Sequence, residues 1–383
     1  MAPGGGRRPT PVRLTWLGIA AALLVVTMFA ALPAAAAAAT ARRVTVGLFG
    51  DSVTEGIVIP HFETEGLAAQ LTRAETSQGF SAGGQGLIAA NQYQWHFNRY
   101  GIFGFSAIPD NGWALVGAQG SSLVEPGTDG PSGYSARTLS AAATATTTVT
   151  DPYIKVLFAS SPTPCTFAVT AGARSWSIST YRPDSTLVAA ETEIDVGPGA
   201  HRLTVHGPSC GEMIFDGIVA EAPVRAGTTQ IQFDNLGHAA RLPQTDLLTR
   251  VEEGILQQHY TLSVFLYGYI GELLVSPGPS AVAYAQALLT RARLARMNGG
   301  ACLIVEPTPL EGVPARQVTL ISGLEQSVAR QAGCTYTDAL AHLWNPDQAI
   351  NSGLVILDGI HPTAKGYAAI AAKLAPIIAG LVR

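Results

Sequence analysis

Charge is scarce in this chain, and the spacings that mark metal sites are missing. Asp, Glu, Lys and Arg make up only 13% of the 383 residues and the formal net charge is -4. Past the N-terminal forty residues no basic cluster larger than the pair Arg42–Arg43 occurs, so no basic stripe exists for a nucleic-acid partner. No CxxC or HExxH occurs among the four cysteines and eight histidines, which gives no reason to expect a zinc centre, another metal or a cofactor. Cysteine is too sparse for a disulfide scaffold, and Cys165, Cys210, Cys302 and Cys334 permit three pairings. Cys165 and Cys210 lie in one strand-rich stretch, Cys302 and Cys334 in another. Two local disulfides are expected, with buried free thiols as the alternative.

Apolar residues, by contrast, are plentiful. At 47% of the chain they can fill a large core, and the length suits two domains. Arg7, Arg8 and Arg13 precede the apolar run from Leu14 to Leu32, which Pro33 and an alanine tract with A-x-A sites follow. This pattern predicts a secretory signal, or an anchor if it is not cleaved; either places the functional part outside the cytoplasm.

The segment GDSVTEG, residues 50 to 56, puts a serine between a strand and a helix start. Val44, Val46, Leu48 and Phe49 read as a short buried strand, and Gly50 permits the sharp turn out of it. Ser52 then sits in the first helical turn, where backbone N–H groups and the helix dipole favour the negative charge that nucleophilic attack creates. Taken alone, the serine can equally be an N-cap. Near the other end, LDGIHPTAKGY places Asp358 and His361 on one short loop. There the carboxylate can orient the imidazole while the imidazole takes a serine proton. The competing reading is a turn in which Asp358 binds backbone and His361 packs beneath Pro362.

Through GDSVTEG at one end and DGIHPTAKGY at the other, in that order, the chain resembles the SGNH/GDSL hydrolase (esterase) family. The resemblance implies Ser52 as nucleophile, with Asp358 and His361 completing a triad. It also implies an oxyanion hole that includes the amides of Ser52 and Gly237, the latter in FDNLGHAARL. The family's asparagine donor is missing. Its expected place after the strand Leu262 to Tyr267 reads Gly268, Tyr269, Ile270, Gly271, Glu272, so Tyr269 or Asn235 stands as a side-chain replacement.

From Gly112 to Ala222 short β-branched runs alternate with Gly, Pro, Asp and Ser, which predicts strands over 139–149, 153–159, 166–170, 175–181, 187–196, 202–206 and 213–221. This reads as a β-sandwich, with a weak resemblance to carbohydrate-binding jelly rolls. Trp176, His201 and His206 can contact a glycan there, or serve as ordinary strand residues. Before it come a helix over 64–77, a glycine-rich loop over 79–86 and an aromatic cluster, Tyr93 to Phe103, that can line a substrate groove or pack beneath a loop. After it, strands at 230–235, 261–267 and 301–306 alternate with helices at 246–257, 279–297, 315–331 and 364–381. A parallel sheet covered on both sides is therefore expected.

The expected architecture is thus α/β: a flavodoxin-like three-layer parallel sheet of the SGNH hydrolase type, interrupted by an all-β sandwich. Residues 1–40 form the signal or anchor, 41–111 and 227–383 the two parts of the hydrolase domain, and 112–226 the insertion. The expected activity is that of an exported serine esterase removing acetyl groups from a cell-envelope or extracellular polysaccharide. The expected partner is an acylated glycan or a small ester, with association to the cell envelope. The alternatives are acyl transfer by the same triad, a nearly inactive glycan-binding protein, and a lipase for long acyl chains.

Overall fold

The computed structural model describes residues 41–56, 62–90, 112–116, 135–183, 188–237, 260–268, 279–297 and 299–383. The signal or anchor segment, the aromatic cluster at 91–105, the helix expected over 246–257 and Tyr269 lie outside the described residues. In chain order the strands are β1 (Arg42–Gly50), β2 (Ser81–Ala82), β3 (Gly86–Ala89), β4 (Ala114–Val116), β5 (Ser135–Thr138), β6 (Thr144–Val149), β7 (Tyr153–Ser160) and β8 (Thr166–Ala171). They continue with β9 (Arg174–Ser179), β10 (Val188–Asp195), β11 (His201–His206), β12 (Met213–Glu221), β13 (Thr229–Gly237), β14 (Leu262–Leu266), β15 (Ala301–Val305) and β16 (Thr335–Thr337). The helices are α1 (Ser52–Glu55), α2 (Phe62–Glu65), α3 (Leu67–Ser77), α4 (Pro279–Met297), α5 (Ala315–Ala332), α6 (Pro346–Ala349) and α7 (Ala364–Val382).

The expected parallel sheet is present, with strand order β16-β15-β14-β1-β13-β2. β1 is central: Val44, Val46 and Leu48 on one face and Phe49 on the other are buried, and hydrogen-bonded neighbours flank it on either side. Helices α3 and α7 pack together, as do α4 and α5. With the right-handed crossovers general to parallel strands, the reversal of strand order at β1 puts these two pairs on opposite faces. α7 is long and apolar enough by composition to cross a membrane, but Tyr367, Ile370, Leu374 and Ile378 are buried in the α/β core.

The antiparallel strands form two sheets, a larger one in the order β10-β7-β12-β5-β4 with β3 added on β12, and a smaller one in the order β6-β11-β8-β9. Their facing residues share one core, in which Phe158 of the larger sheet meets Phe167 of the smaller at 5.3 Å between ring centroids. Two details differ from the sequence reading. The strand expected over 139–149 is broken by a turn in which the Ala143 amide donates to the Ser140 carbonyl, so that the chain leaves the larger sheet at β5 and enters the smaller at β6. The larger sheet also draws β3 from ahead of residue 112, pairing Leu87 with Val219.

The larger sheet is buried on both sides. Along β7 and β12, Val156, Phe158 and Ile218 face the sandwich core, whereas Leu157 and Val219 join the α/β core. On that second face Glu221 pairs with Lys155 at 2.9 Å and with Arg43 of β1, which also donates to the Ala222 carbonyl. Buried Asp234 of β13 accepts the Leu87 amide at 3.0 Å, tying the start of β3 to the parallel sheet. Desolvation raises the pKa of this carboxyl above its ordinary value.

Candidate active site

β1, β13 and β14 all end on one edge of the parallel sheet, where doubly wound folds gather ligands. Gly50 and Gly237 stand in register there, and a Cβ at Gly50 would meet Thr54 Oγ1 at 1.9 Å while one at Gly237 would meet the Glu55 amide nitrogen at 2.3 Å. Glycine at both positions lets the short helix α1 nest against the strand ends. Its N-cap is Asp51, whose Oδ1 accepts the Val53 amide at 2.9 Å, and not Ser52. Asp51, in extended backbone just ahead of the helix, takes the capping role and leaves the serine hydroxyl available. Thr54 Oγ1 donates to the Leu266 carbonyl at 3.3 Å, fastening α1 to the end of β14.

The second component comes from the loop before α7. It is a narrow turn closed by the Ile356 amide on the His361 carbonyl at 2.9 Å and by pairing of Val355 with Pro362. Asp358 Oδ1 accepts the amides of Ile360 at 2.8 Å and His361 at 3.0 Å, which leaves Oδ2 to meet His361 Nδ1 at 2.7 Å. Burial opposes the charged form of Asp358, but these two amides and the imidazole outweigh it and hold the carboxyl below its ordinary pKa. An ionised Asp358 requires the proton on Nδ1, so Nε2 is the free acceptor. Ser52 Oγ lies 2.8 Å from that Nε2, and the Ser52 side of the pair is buried. Residues 309 positions apart are thus joined in one hydrogen-bonded series, Ser52 to His361 to Asp358.

The remaining sequence candidates fall as follows. Asn235 Oδ1 accepts the Gly237 amide at 3.0 Å, and its Nδ2 donates to the Glu55 carbonyl at 3.0 Å. In this state Asn235 braces α1 and occupies the Gly237 amide. The Ser52 amide, in the first turn of α1, has no acceptor within its own helix. Trp176, His201 and His206 belong to the smaller sheet, away from Ser52, where His206 meets Thr170 Oγ1 at 3.1 Å and His201 the Pro198 carbonyl at 3.3 Å. Cys302 and Cys334 form a disulfide with Cα atoms 4.9 Å apart. Cys165 and Cys210, the second expected pair, face each other with their Sγ atoms 2.6 Å apart, closer than two unbonded thiols pack and longer than a closed S–S bond. Among the described residues no group of three His, Cys, Asp or Glu side chains is placed to hold a metal. Sequence reasoning missed the braces on α1, Asn235 and Tyr367, because their partners are backbone carbonyls far away in the chain.

The fold is a three-layer α/β architecture that carries an antiparallel insertion and mounts a serine at the turn after its central strand. No protein-family model and no curated protein matches the chain. Among solved structures it is similar to a peptidoglycan O-acetylesterase, with a TM-score of 0.64 at 19% identity over 90% of this chain and 93% of that one. A lipase/acylhydrolase from Enterococcus faecalis aligns over 39% of this chain and 77% of its own, at 15% identity and TM-score 0.34. An acetylxylan esterase from Geobacillus stearothermophilus aligns over 40% and 75%, at 17% identity and TM-score 0.32. The first likeness spans the parallel sheet and the sandwich together, and the fold is what it establishes.

Proposed function

We propose that the protein is an exported serine esterase that removes small acyl groups, acetate foremost, from a cell-envelope or extracellular polysaccharide. The observation that carries this reading is the series of hydrogen bonds at 2.8 and 2.7 Å from Ser52 through His361 to Asp358. Ser52 Oγ attacks the ester carbonyl as His361 Nε2 takes its proton. His361 then gives that proton to the departing sugar oxygen, which leaves an acyl-serine. Water attacks this ester with His361 again as base, and acetate and free Ser52 are released. The Ser52 amide is the oxyanion donor in place; the Gly237 amide becomes a second when Asn235 yields it. Loss of one such donor costs roughly 100- to 1000-fold, so turnover is modest while Asn235 holds Gly237.

Acetylated glycan is the favoured substrate class because a structural relative that aligns over 90% of the chain is named a peptidoglycan O-acetylesterase. The apolar segment Leu14 to Leu32 supports export. Short- and long-chain aryl esters assayed beside O-acetylated glycans, with wild type and Ser52→Ala, test the proposal. Release of acetate from the glycans by wild type alone is expected, with a preference for acetyl over long acyl esters. Equal release by Ser52→Ala contradicts it.

A further inference from the structure

We infer that Tyr367 is a positioning residue for the Ser52–His361 pair, acting by fastening the nucleophile's turn to the helix that carries the His361 loop. The inference rests on the reading of Ser52 and His361 given above. Tyr367 is fully buried and donates its phenol O–H to the Val53 carbonyl at 2.6 Å, across 314 residues of sequence. Val53 is the residue after Ser52.

Helix α1 is a single turn of four residues and cannot fix its own orientation, since its carbonyls find few N–H partners within so short a helix. Its C-cap amide and two side chains from elsewhere satisfy them instead. The Gly56 amide donates to the Ser52 carbonyl at 3.0 Å, Asn235 Nδ2 to the Glu55 carbonyl at 3.0 Å, and Tyr367 to the Val53 carbonyl between them. Of these partners Tyr367 alone sits on the element that follows His361.

The first turn of α7 is in turn locked to the His361 loop. The Thr363 amide donates to the Leu354 carbonyl at 2.9 Å and Thr363 Oγ1 to the Gly353 carbonyl at 2.7 Å. Gly366 permits this contact, because a Cβ there would stand 2.1 Å from the Leu354 carbonyl oxygen. The Tyr367 amide then donates to the Thr363 carbonyl at 2.9 Å. The loop and the phenol move as one piece, so the Tyr367 bond sets where α1 lies relative to His361. The pair closes this ring of contacts at 2.8 Å, inside the narrow range that proton transfer requires. The phenol of Tyr367 bonds backbone, the Val53 carbonyl, rather than the serine hydroxyl. Its role is alignment, and it accounts for the final tyrosine of DGIHPTAKGY, which the triad does not use.

Tyr367→Phe removes the donor and keeps the ring. With 4-nitrophenyl acetate, kcat is expected to fall about 10-fold with KM unchanged, as for a small misplacement of a general base. Replacing Tyr367 by 4-aminophenylalanine, which restores a donor at the same place, should return most of the activity; 4-fluorophenylalanine, which fills the space without donating, should not. This second pair makes the comparison if Tyr367→Phe fails to fold, with thermal unfolding as the check. In a His361→Ala background Tyr367→Phe should cost nothing further, because no imidazole remains to be aligned. An unchanged kcat in the folded Phe variant, or the same fold-loss with and without His361, overturns the inference. Wild-type turnover by His361→Ala alone would instead overturn the site reading beneath it.

Discussion

The two halves of the molecule use polar side chains in opposite ways. At the end of the parallel sheet, Ser52, His361 and Asp358 come from segments more than 300 residues apart and converge within hydrogen-bonding distance. On the smaller sheet of the sandwich, Thr146, Thr204, Thr170 and Ser175 lie side by side in register across four strands, spread over a face and converging on nothing. The difference follows from geometry. Turns at strand C-termini can bring unrelated segments to one point, whereas a pleated face keeps its side chains on a fixed grid. Chemistry is expected where segments meet, and the sandwich serves as a packed layer whose inner sheet is buried by both cores.

The sharpest way to break this contrast is to measure esterase turnover after substitution in each half. Ser52→Ala and His361→Ala should each lower kcat by about 10,000-fold or more with unchanged thermal unfolding, and Asp358→Asn by less, because the carboxylate orients while the other two exchange bonds and protons. Trp176→Ala and His206→Ala on the smaller sheet should leave hydrolysis of a small aryl ester unchanged. A loss at either comparable to that of His361→Ala would abolish the distinction.

A smaller effect is expected where the halves join. Leu157→Ala empties a fully buried site on the shared face and should cost about 2–5 kcal/mol in denaturant unfolding. Leu139, 74% exposed at the turn between the sheets, should cost under about 0.5 kcal/mol as alanine. Equal costs would mean that the larger sheet is not a layer common to both cores.

Next in size is a pH effect confined to the α/β half. Glu75 on α3 is fully buried with no hydrogen-bond partner among the described residues for either carboxylate oxygen, and burial lifts its pKa to about 7, against the pull of Arg383. The folded protein then holds this proton more tightly than the unfolded chain does. Its stabilising contribution is complete below the unfolded carboxyl's pKa and is lost as pH rises to about 7, on the order of 3 kcal/mol. Unfolding free energies between pH 4 and 8 should show that decline in wild type and a flatter profile in Glu75→Gln. The smallest effect on activity is expected in the sandwich. Oxidation of Cys165 and Cys210 to a disulfide should leave turnover unchanged, and peptide mapping of protein from an oxidising compartment should recover the two cysteines linked to each other.

Much of the contrast was legible in the sequence because its signals are local. The apolar run of β1, the alternation in β7 to β12 and the long helices α4, α5 and α7 each announce themselves within a dozen residues. The nucleophile turn and the histidine loop did so through short motifs. What escaped was non-local or brief. The two residues of β2 and the four of β3 follow glycines and carry no period of their own. The turn at Ser140–Ala143 has neither Gly nor Pro to mark it. Asn235 and Tyr367 act on backbone carbonyls 180 and 314 residues away, which no spacing rule reveals. The sequence left open whether Ser52 is the N-cap; Asp51, in extended backbone one residue earlier, holds that place and accepts the Val53 amide.

The most direct test of the central claim, that Ser52 is the nucleophile served by His361, is to trap the acyl-enzyme. The protein is mixed with an activated acetyl ester, quenched in acid and mapped by peptide mass spectrometry. One acetyl group on the peptide containing Ser52, absent from Ser52→Ala and strongly diminished in His361→Ala, is the expected result. Ester turnover with no acetyl group on Ser52, or acetylation undiminished without His361, would contradict it.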